Sequence, residues 1–371
     1  MLPNKDYSEE FYQIALTFVP EVGPKTARAL LSRYSSAEAI FRAKARELVT
    51  VDGMGEYKAK MFKGKQIYVE AEKELEYCLK NDIRPLFMTN PSYPKRFMNC
   101  DDAPVLLYYK GHAELNASKV IAVIGTRKHT DYGQRATEDL VEGLQGLEDV
   151  IVVSGLALGI DTVAHRSCLK HGIPTVGVVG HGLDIVYPSS NRQLANDMLQ
   201  HGGLLTEFPS GTALDRSNFP VRNRVVAGMS DITILVESDI KGGGMITAYV
   251  AHSYNREVAA FPGRVYDSKS GGPNHLIRKN IAAMITNADD LLDLMNWGRH
   301  EGQKAVQKQL FFDLSPEEQQ LVDLLKEKDA IHSDELLHQT GFKSPQLAAT
   351  LLTLEMQGVI KALPGKYYRI N

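Results

Sequence analysis

Between about residue 81 and residue 297 the chain repeats one pattern: a short, β-branched apolar run, then glycines, then a helical stretch. The runs at 120–124, 150–153, 175–179, 232–236 and 258–261 are almost continuously apolar. Such runs suit strands buried on both faces of a parallel sheet, so they predict a doubly wound α/β domain. Ligands of such sheets bind beyond the carboxyl ends of the strands. Each run leads into a glycine-bearing turn: Gly125-Thr-Arg127, Ser154-Gly-Leu-Ala-Leu-Gly159, Gly180-His-Gly182, Lys241-Gly-Gly-Gly244 and Pro262-Gly-Arg264. The five turns are expected to converge on one rim.

The flanks follow a different period. Residues 1–80 read as helical with two similar hairpins, Phe18-Val-Pro-Glu-Val-Gly-Pro-Lys and Val51-Asp-Gly-Met-Gly-Glu-Tyr-Lys. This is the outline of a helix-hairpin-helix, in which turn glycines let backbone N–H groups face a phosphate. The pair resembles the tandem hairpins of SAM-like domains. Glu21 stands where the first hairpin wants its leading glycine, so Gly53-Met-Gly55 is the better DNA candidate, and packing or protein contact is the preferred role for the region. After a polar connector at 298–313, Ser315 opens a helix to about 328, Ser333 a second to about 340, and Ser344-Pro a third to about 357. Residues 359–370 then read as a β-hairpin turning at Pro364-Gly365. Three helices and a hairpin make a winged helix over 314–371. Its third helix carries only Glu355 as a charge, which favours packing or protein contact over groove reading.

Composition narrows the class. A chain of 371 residues with 43% hydrophobic content can fill two or three domains. A net charge of -3 gives no whole-chain nucleic-acid signal, so any electrostatic footprint has to be local. Cys78, Cys100 and Cys168 lack metal or disulfide spacing and read as core thiols in a reducing compartment. The start of the sequence lacks a basic region followed by an apolar run, and no segment offers the roughly 20 apolar residues of a membrane span. A cytoplasmic, soluble protein is expected.

The most informative chemistry lies in Phe219-Pro-Val-Arg-Asn-Arg224, read as two arginines beside a proline-fixed turn that runs into the strand at 232–236. The Lys241 glycine loop follows that strand. Guanidinium forks and uncrowded backbone N–H groups together make a polyanion cradle. No Gly-x-Gly-x-x-Gly opens the first helix and no GxxxxGK[ST] occurs, so neither a standard dinucleotide site nor an ATP-driven motor is supported. Asp161 and His165, four apart at a helix start, invite an acid–base reading. A structural role is preferred, because an aspartate there can cap the helix and no nucleophile or metal set accompanies the pair.

Taken together, these segments resemble the DNA-processing protein A family (DprA or Smf). The matching motifs are Ile121-Ala-Val-Ile-Gly-Thr-Arg127 with Tyr132-Gly133, Val153-Ser-Gly-Leu-Ala-Leu-Gly-Ile-Asp161 with Ala164-His165, and Gly182-Leu-Asp184 with Tyr187-Pro188 and Asn191. They continue through Thr206-Glu-Phe-Pro209, Gly211-Thr212, Phe219-Pro-Val-Arg-Asn-Arg224, the 241–248 loop, Phe261-Pro-Gly263 and Gly272-Pro-Asn274. One departure is Gly242-Gly243-Gly244, where the family usually shows Ser-Gly-Ser after the lysine.

The resemblance implies an extended Rossmann-like α/β sheet over 81–297 flanked by a SAM-like helical domain and a winged helix. It further implies a non-enzymatic protein that binds single-stranded DNA, dimerises through the Rossmann-like domain, and helps load the RecA recombinase during natural transformation. No cofactor or metal is implied. The DNA-binding positions carried over are Gly125, Thr126, Arg127, Arg222, Arg224, Lys241, Gly242, Gly243, Gly244, Thr247 and Asn274, with Met245 as an apolar surface for bases. Structural ion pairing of Arg222 and Arg224 is the alternative reading of those two. The competing function is a nucleotide phosphoribohydrolase, whose glycine signature is followed by a catalytic glutamate. Here Gly244 leads into Met-Ile-Thr-Ala-Tyr-Val-Ala-His252 with no carboxylate before Glu257, which weakens that reading. A scaffold acting through its terminal modules is a third possibility.

Overall fold

The computed structural model describes residues 7–298, 314–326, 330–357, 359–363 and 366–370. The chain divides into two compact units, 1–299 and 300–371. Most of the expected connector and the expected Pro364-Gly365 turn lie outside the described residues.

The first unit opens with α1 (Glu9–Thr17), α2 (Pro24–Arg33), α3 (Ala37–Arg42), α4 (Ala45–Leu48), α5 (Glu56–Met61) and α6 (Lys65–Lys80). Ser8 and Ser36 cap α1 and α3 through their side-chain oxygens, which satisfies N–H groups that the helices themselves leave open. Both hairpins form. Glu21 sits at φ 60 and Gly53 at φ 77, so the first hairpin reaches the left-handed turn without the glycine that makes it easy, at a cost of roughly 1 kcal/mol.

The α/β layer follows in the order β1 (Arg84–Phe87), β2 (Leu106–Gly111), β3 (Lys119–Ile124), α7 (Asp131–Glu142), β4 (Val150–Ser154), α8 (Ile160–His171), β5 (Thr175–Val178), α9 (Arg192–His201) and β6 (Gly202–Thr206). It continues with α10 (Asn218–Gly228), β7 (Ile232–Leu235), α11 (Gly243–Ser253), β8 (Glu257–Ala260), α12 (Gly271–Arg278), β9 (Ala283–Met284) and α13 (Ala288–Leu294). The nine strands pair in the order β1-β2-β6-β5-β4-β3-β7-β8-β9. From β6 to β9 every pair is parallel, whereas β1 and β2 run antiparallel at one edge.

Three of these strands carry no clear sequence signal. Pro85 interrupts β1, β9 is two residues long, and β6 begins with two glycines. The glycines are steric necessities: a Cβ at Gly202 would stand 1.8 Å from the Thr175 carbonyl oxygen, and one at Gly203 would stand 2.5 Å from the Tyr109 ring. The antiparallel edge also joins the helical region to the sheet, because Phe87, Leu106 and Tyr108 share one core with Phe11, Ile14, Leu30, Phe41 and Phe62. From α6, the buried Glu74 accepts hydrogen bonds from the Ser210 N–H at 3.0 Å and from the Ser210 hydroxyl.

The proline-fixed turn expected at 219–224 is a helix. Pro220 falls in the first turn of α10, where its missing N–H has no intrahelical partner to lose. Two residues apart on a helix means roughly opposite faces, so Arg222 and Arg224 diverge instead of forming a pair.

The second unit contains α14 (Pro316–Lys326), β10 (Ile331–His332), α15 (Ser333–Thr340), α16 (Ser344–Met356), β11 (Ile360–Leu363) and β12 (Tyr367–Ile370), with sheet order β10-β12-β11. Leu321, Leu325, Leu336, Leu347, Leu351, Leu354 and Ile360 form its core. The three helices and the hairpin match the expected winged helix, and β10, too short to show in the sequence, adds a third strand to the wing.

Candidate nucleic-acid interface

Strand order reverses between β3 and β7, the two central parallel neighbours whose following connections run to opposite sides of the sheet. A crevice opens at that switch point. Its volume is about 400 Å3, and its walls include Gly125, Thr126, Arg127, Gly155, Asp161, Arg222, Asn223, Ser238 and Gly242 to Thr247, apart from Met245. The loop after β3 is fixed in place at both ends: the Thr126 N–H donates to the Glu237 carbonyl at 2.7 Å, and the Thr126 carbonyl accepts from the Ile160 N–H at 3.2 Å. Glu237, beyond β7 and buried, accepts from the N–H of Thr130 at 2.9 Å and from its hydroxyl at 2.6 Å.

The crevice brings together Gly125, Thr126, Arg127, Arg222, Gly242, Gly243, Gly244 and Thr247. Gly242 is the N-cap of α11, so the glycine loop presents unpaired backbone N–H groups at a helix start. Arg127 is exposed, with its guanidinium carbon 5.4 Å from the centre of the Phe219 ring. Lys241 is exposed one residue before the loop. Among the described residues neither Arg127 nor Lys241 has a recorded ion-pair partner, so both charges face solvent.

Arg222 lines the crevice from below. It is 6% exposed; its Nη1 donates to the Val178 carbonyl at 2.6 Å and to the Gly155 carbonyl, tying α10 to the ends of β5 and β4. A side chain at position 155 would meet this guanidinium at 2.0 Å, which requires glycine there. Burial lowers the Arg222 pKa, Asp161 pulls it back up and Arg127 pushes it further down.

Three expected site residues lie elsewhere. Arg224 points to the opposite side of α10, paired with Glu207 and donating to the Asp102 carbonyl; burial pushes the Glu207 carboxyl up to about 7 against the pull of that guanidinium. Met245 is 3% exposed and packs in the central core with Leu235 and Ala248, so it offers no face to a base. Ile246, 46% exposed, takes the apolar place on the crevice wall. Asn274 spends its amide on Gly263, accepting from its N–H at 3.1 Å and donating to its carbonyl at 2.9 Å.

Asp161 and His165 hold structure. The Asp161 carboxylate accepts from the N–H groups of Gly155 at 3.1 Å and Ala157 at 3.3 Å, so it fixes the preceding loop instead of capping its own helix. His165 is fully buried with Nδ1 2.7 Å from the Thr175 hydroxyl, and burial lowers its pKa to about 3, leaving the ring neutral. The three cysteines are buried free thiols; burial pushes Cys78 and Cys168 up to about 12, which makes them unreactive.

Asn223 was not among the expected residues, though it lies between the two arginines; only the helical geometry of α10 reveals that it faces the crevice. The structure also explains the departure at the glycine loop. A Cβ at Gly242 would fall 2.2 Å from the Ser238 hydroxyl and one at Gly244 2.7 Å from Leu235, so the space a serine would need is already filled. Among the described residues, no His, Cys, Asp and Glu cluster is placed to hold a metal, and no helix is long and apolar enough to cross a membrane.

The architecture is that of an open α/β protein with a cationic, glycine-lined crevice at its switch point, a tandem-hairpin module at one edge of the sheet and a separate winged helix. The chain belongs to the DNA recombination-mediator protein A family, whose model matches residues 84–296. A DprA winged-helix model matches residues 308–366, and a SAM-like helix-hairpin-helix tandem matches residues 14–62. Protein Smf of Escherichia coli strain K12 is 33% identical over 75% of this chain and 75% of its own length. A putative DNA processing protein DprA of Mycobacterium tuberculosis is 36% identical over 72% of this chain and 69% of its own. Among solved structures, DNA processing protein A of Streptococcus pneumoniae superposes with a TM-score of 0.63 at 27% identity, covering 78% of this chain and 98% of that one. DNA processing protein A of Helicobacter pylori, described for its single-stranded DNA binding mode, superposes with a TM-score of 0.52 at 30% identity, covering 58% of this chain and 95% of that one.

Proposed function

We propose that the crevice between β3 and β7 binds the phosphate backbone of single-stranded DNA, and that the protein is a non-enzymatic recombination mediator that passes that strand to a RecA-type recombinase in natural transformation. The observation that carries this reading is the pairing of two solvent-facing cations, Arg127 and Lys241, with the glycine-built start of α11. Charge-assisted contacts and exposed N–H groups answer the repeating anions of the backbone, and neither reads base identity. The Helicobacter pylori relative, whose structure is described for its single-stranded DNA binding mode, supports the choice of ligand. A homodimer formed through the α/β unit and a cytoplasmic location complete the proposal, both from family likeness.

The phosphoribohydrolase reading finds no support in α11, which carries no carboxylate from Gly243 to Ser253. The test is a polarisation titration of labelled single-stranded oligonucleotide against salt. Binding should weaken steeply with salt, and Arg127→Ala or Lys241→Ala should each flatten the log–log slope by about 0.7 with the fold unchanged. Wild-type affinity and slope in both variants would overturn the assignment.

A further inference from the structure

Away from the crevice, a second cleft of about 440 Å3 lies along α7 and α8, with Arg166, Ser167 and Lys170 on one wall and Gln134 and Glu138 on the other. Arg166 and Lys170 are one helical turn apart and both exposed. Among the described residues neither has a recorded ion-pair partner, and the facing Glu138 carboxylate is engaged by the Gln134 amide at 2.8 Å. Ser167 is 5% exposed, and its buried hydroxyl has no hydrogen-bond partner within the protein.

This cleft neighbours the crevice through shared lining residues. Leu158 lines it and also lines a narrow notch shared with Arg127, Tyr187 and Phe219. Arg127 in turn lines both the notch and the crevice. Along this path cations alternate with apolar faces: Arg127, then the Phe219 and Tyr187 rings with centroids 6.1 Å apart and the half-exposed Leu158, then Arg166 and Lys170. A single strand offers that alternation, since its unpaired bases have free π faces between successive phosphates. A duplex hides those faces by stacking.

We propose that the α7–α8 cleft carries the continuation of a single DNA strand leaving the crevice, with phosphates on Arg166 and Lys170 and a base on the Phe219–Tyr187 surface. This proposal rests on the crevice reading, and the test separates the two. Full-length protein is titrated with oligothymidylates of roughly 5 and roughly 20 nucleotides, lengths that bracket a short site and an extended one. The Arg166→Ala/Lys170→Ala variant should match the wild type on the short oligonucleotide. On the long one it should bind several-fold more weakly, with a salt slope lower by about 1.4, or 0.7 for each lost phosphate contact.

Unchanged affinity and slope on the long oligonucleotide overturn the track. Equal losses at both lengths also overturn it, because they describe a diffuse field. An equal loss on duplex DNA of the long length overturns the single-strand assignment. If the wild type binds neither oligonucleotide, or if Arg127→Ala and Lys241→Ala both leave short-oligonucleotide binding intact, the crevice reading falls first and the track with it.

Discussion

The crevice of the α/β unit and the winged helix treat positive charge in opposite ways. Of the four basic side chains expected at the crevice, two are spent on structure: Arg222 staples strand ends at its floor and Arg224, on the far side of α10, pairs with Glu207. The remaining two face solvent beside backbone N–H groups that the sheet and α11 hold still. In the winged helix the helix that would enter a groove exposes Ala348, Ala349, Leu352, Thr353, Glu355 and Met356, with no cation among them. Three of its exposed basic side chains lie on the wing, where Lys361 stands directly across from Arg369 and Lys366 follows the turn, while Lys326 ends α14 and Lys343 precedes the first turn of α16. On the proposed reading of the crevice, a DNA site needs cations that folding leaves unspent on a rigid backbone, and the count of basic residues says little about either condition.

The largest effect that sharpens this contrast is on stability. Arg222→Ala strips partners from two buried carbonyl oxygens and leaves Asp161 without its cation, which should cost on the order of 3 kcal/mol. Trp297 is the only tryptophan and packs on the α/β core, so its emission during urea unfolding reports the first unit separately. Neutralising the solvent-facing Lys361 and Arg369 should leave stability within about 0.5 kcal/mol.

A second difference lies in acid sensitivity. His165 has a folded pKa of about 3, below the unfolded value, so the unfolded chain takes up the proton first. Its contribution is intact above about pH 6.5 and is lost as pH falls from there towards 3, at a little over 1 kcal/mol per pH unit well inside that window. The winged helix has no fully buried histidine among its described residues, His332 being partly buried and His338 exposed. The first unit should therefore lose stability across this range, and His165→Gln should flatten the pH dependence of the Trp297 unfolding midpoint.

Combining Arg127→Ala with Lys241→Ala should weaken single-strand binding by roughly tenfold or more at low salt while leaving unfolding unchanged. If the double variant binds as the wild type does, the distinction between inward and outward cations has no functional meaning. Gly242→Ser tests the loop itself. The added Cβ has to displace the Ser238 hydroxyl, so a loss of about 1 kcal/mol is expected, measured by the same tryptophan signal.

The smallest effect belongs to the winged helix. Deleting residues 310–371 should leave single-strand affinity within about twofold, as polarisation would show. Micromolar, salt-sensitive duplex binding by the isolated residues 314–371, abolished by neutralising Lys361, Lys366 and Arg369, would instead make the wing a DNA contact.

Much of this was legible in the sequence because the signals are periodic or local. Apolar β-branched runs marked the five parallel strands that carry the crevice, and serine-led helix starts with an apolar period marked the winged helix. Glycine-rich turns after strands told where a ligand could sit. The sequence missed β1, β6 and β9, where proline, paired glycines or brevity removed the pattern and pairing with neighbouring strands supplied what local propensity did not; β2 was not among the expected strands although its Leu106 to Tyr109 run is apolar. Nor did it separate the four basic residues. Arg222 and Arg224 are two apart in the chain, but a helix turns them to opposite sides, one onto strand ends and the other onto Glu207. Met245 and Asn274 read as ligand contacts, whereas packing of α11 buried the first and a backbone clamp on Gly263 consumed the second. The order of residues determined which groups were available near the switch point; three-dimensional packing decided which stayed free, because burial and hydrogen bonding are properties of neighbours distant in sequence.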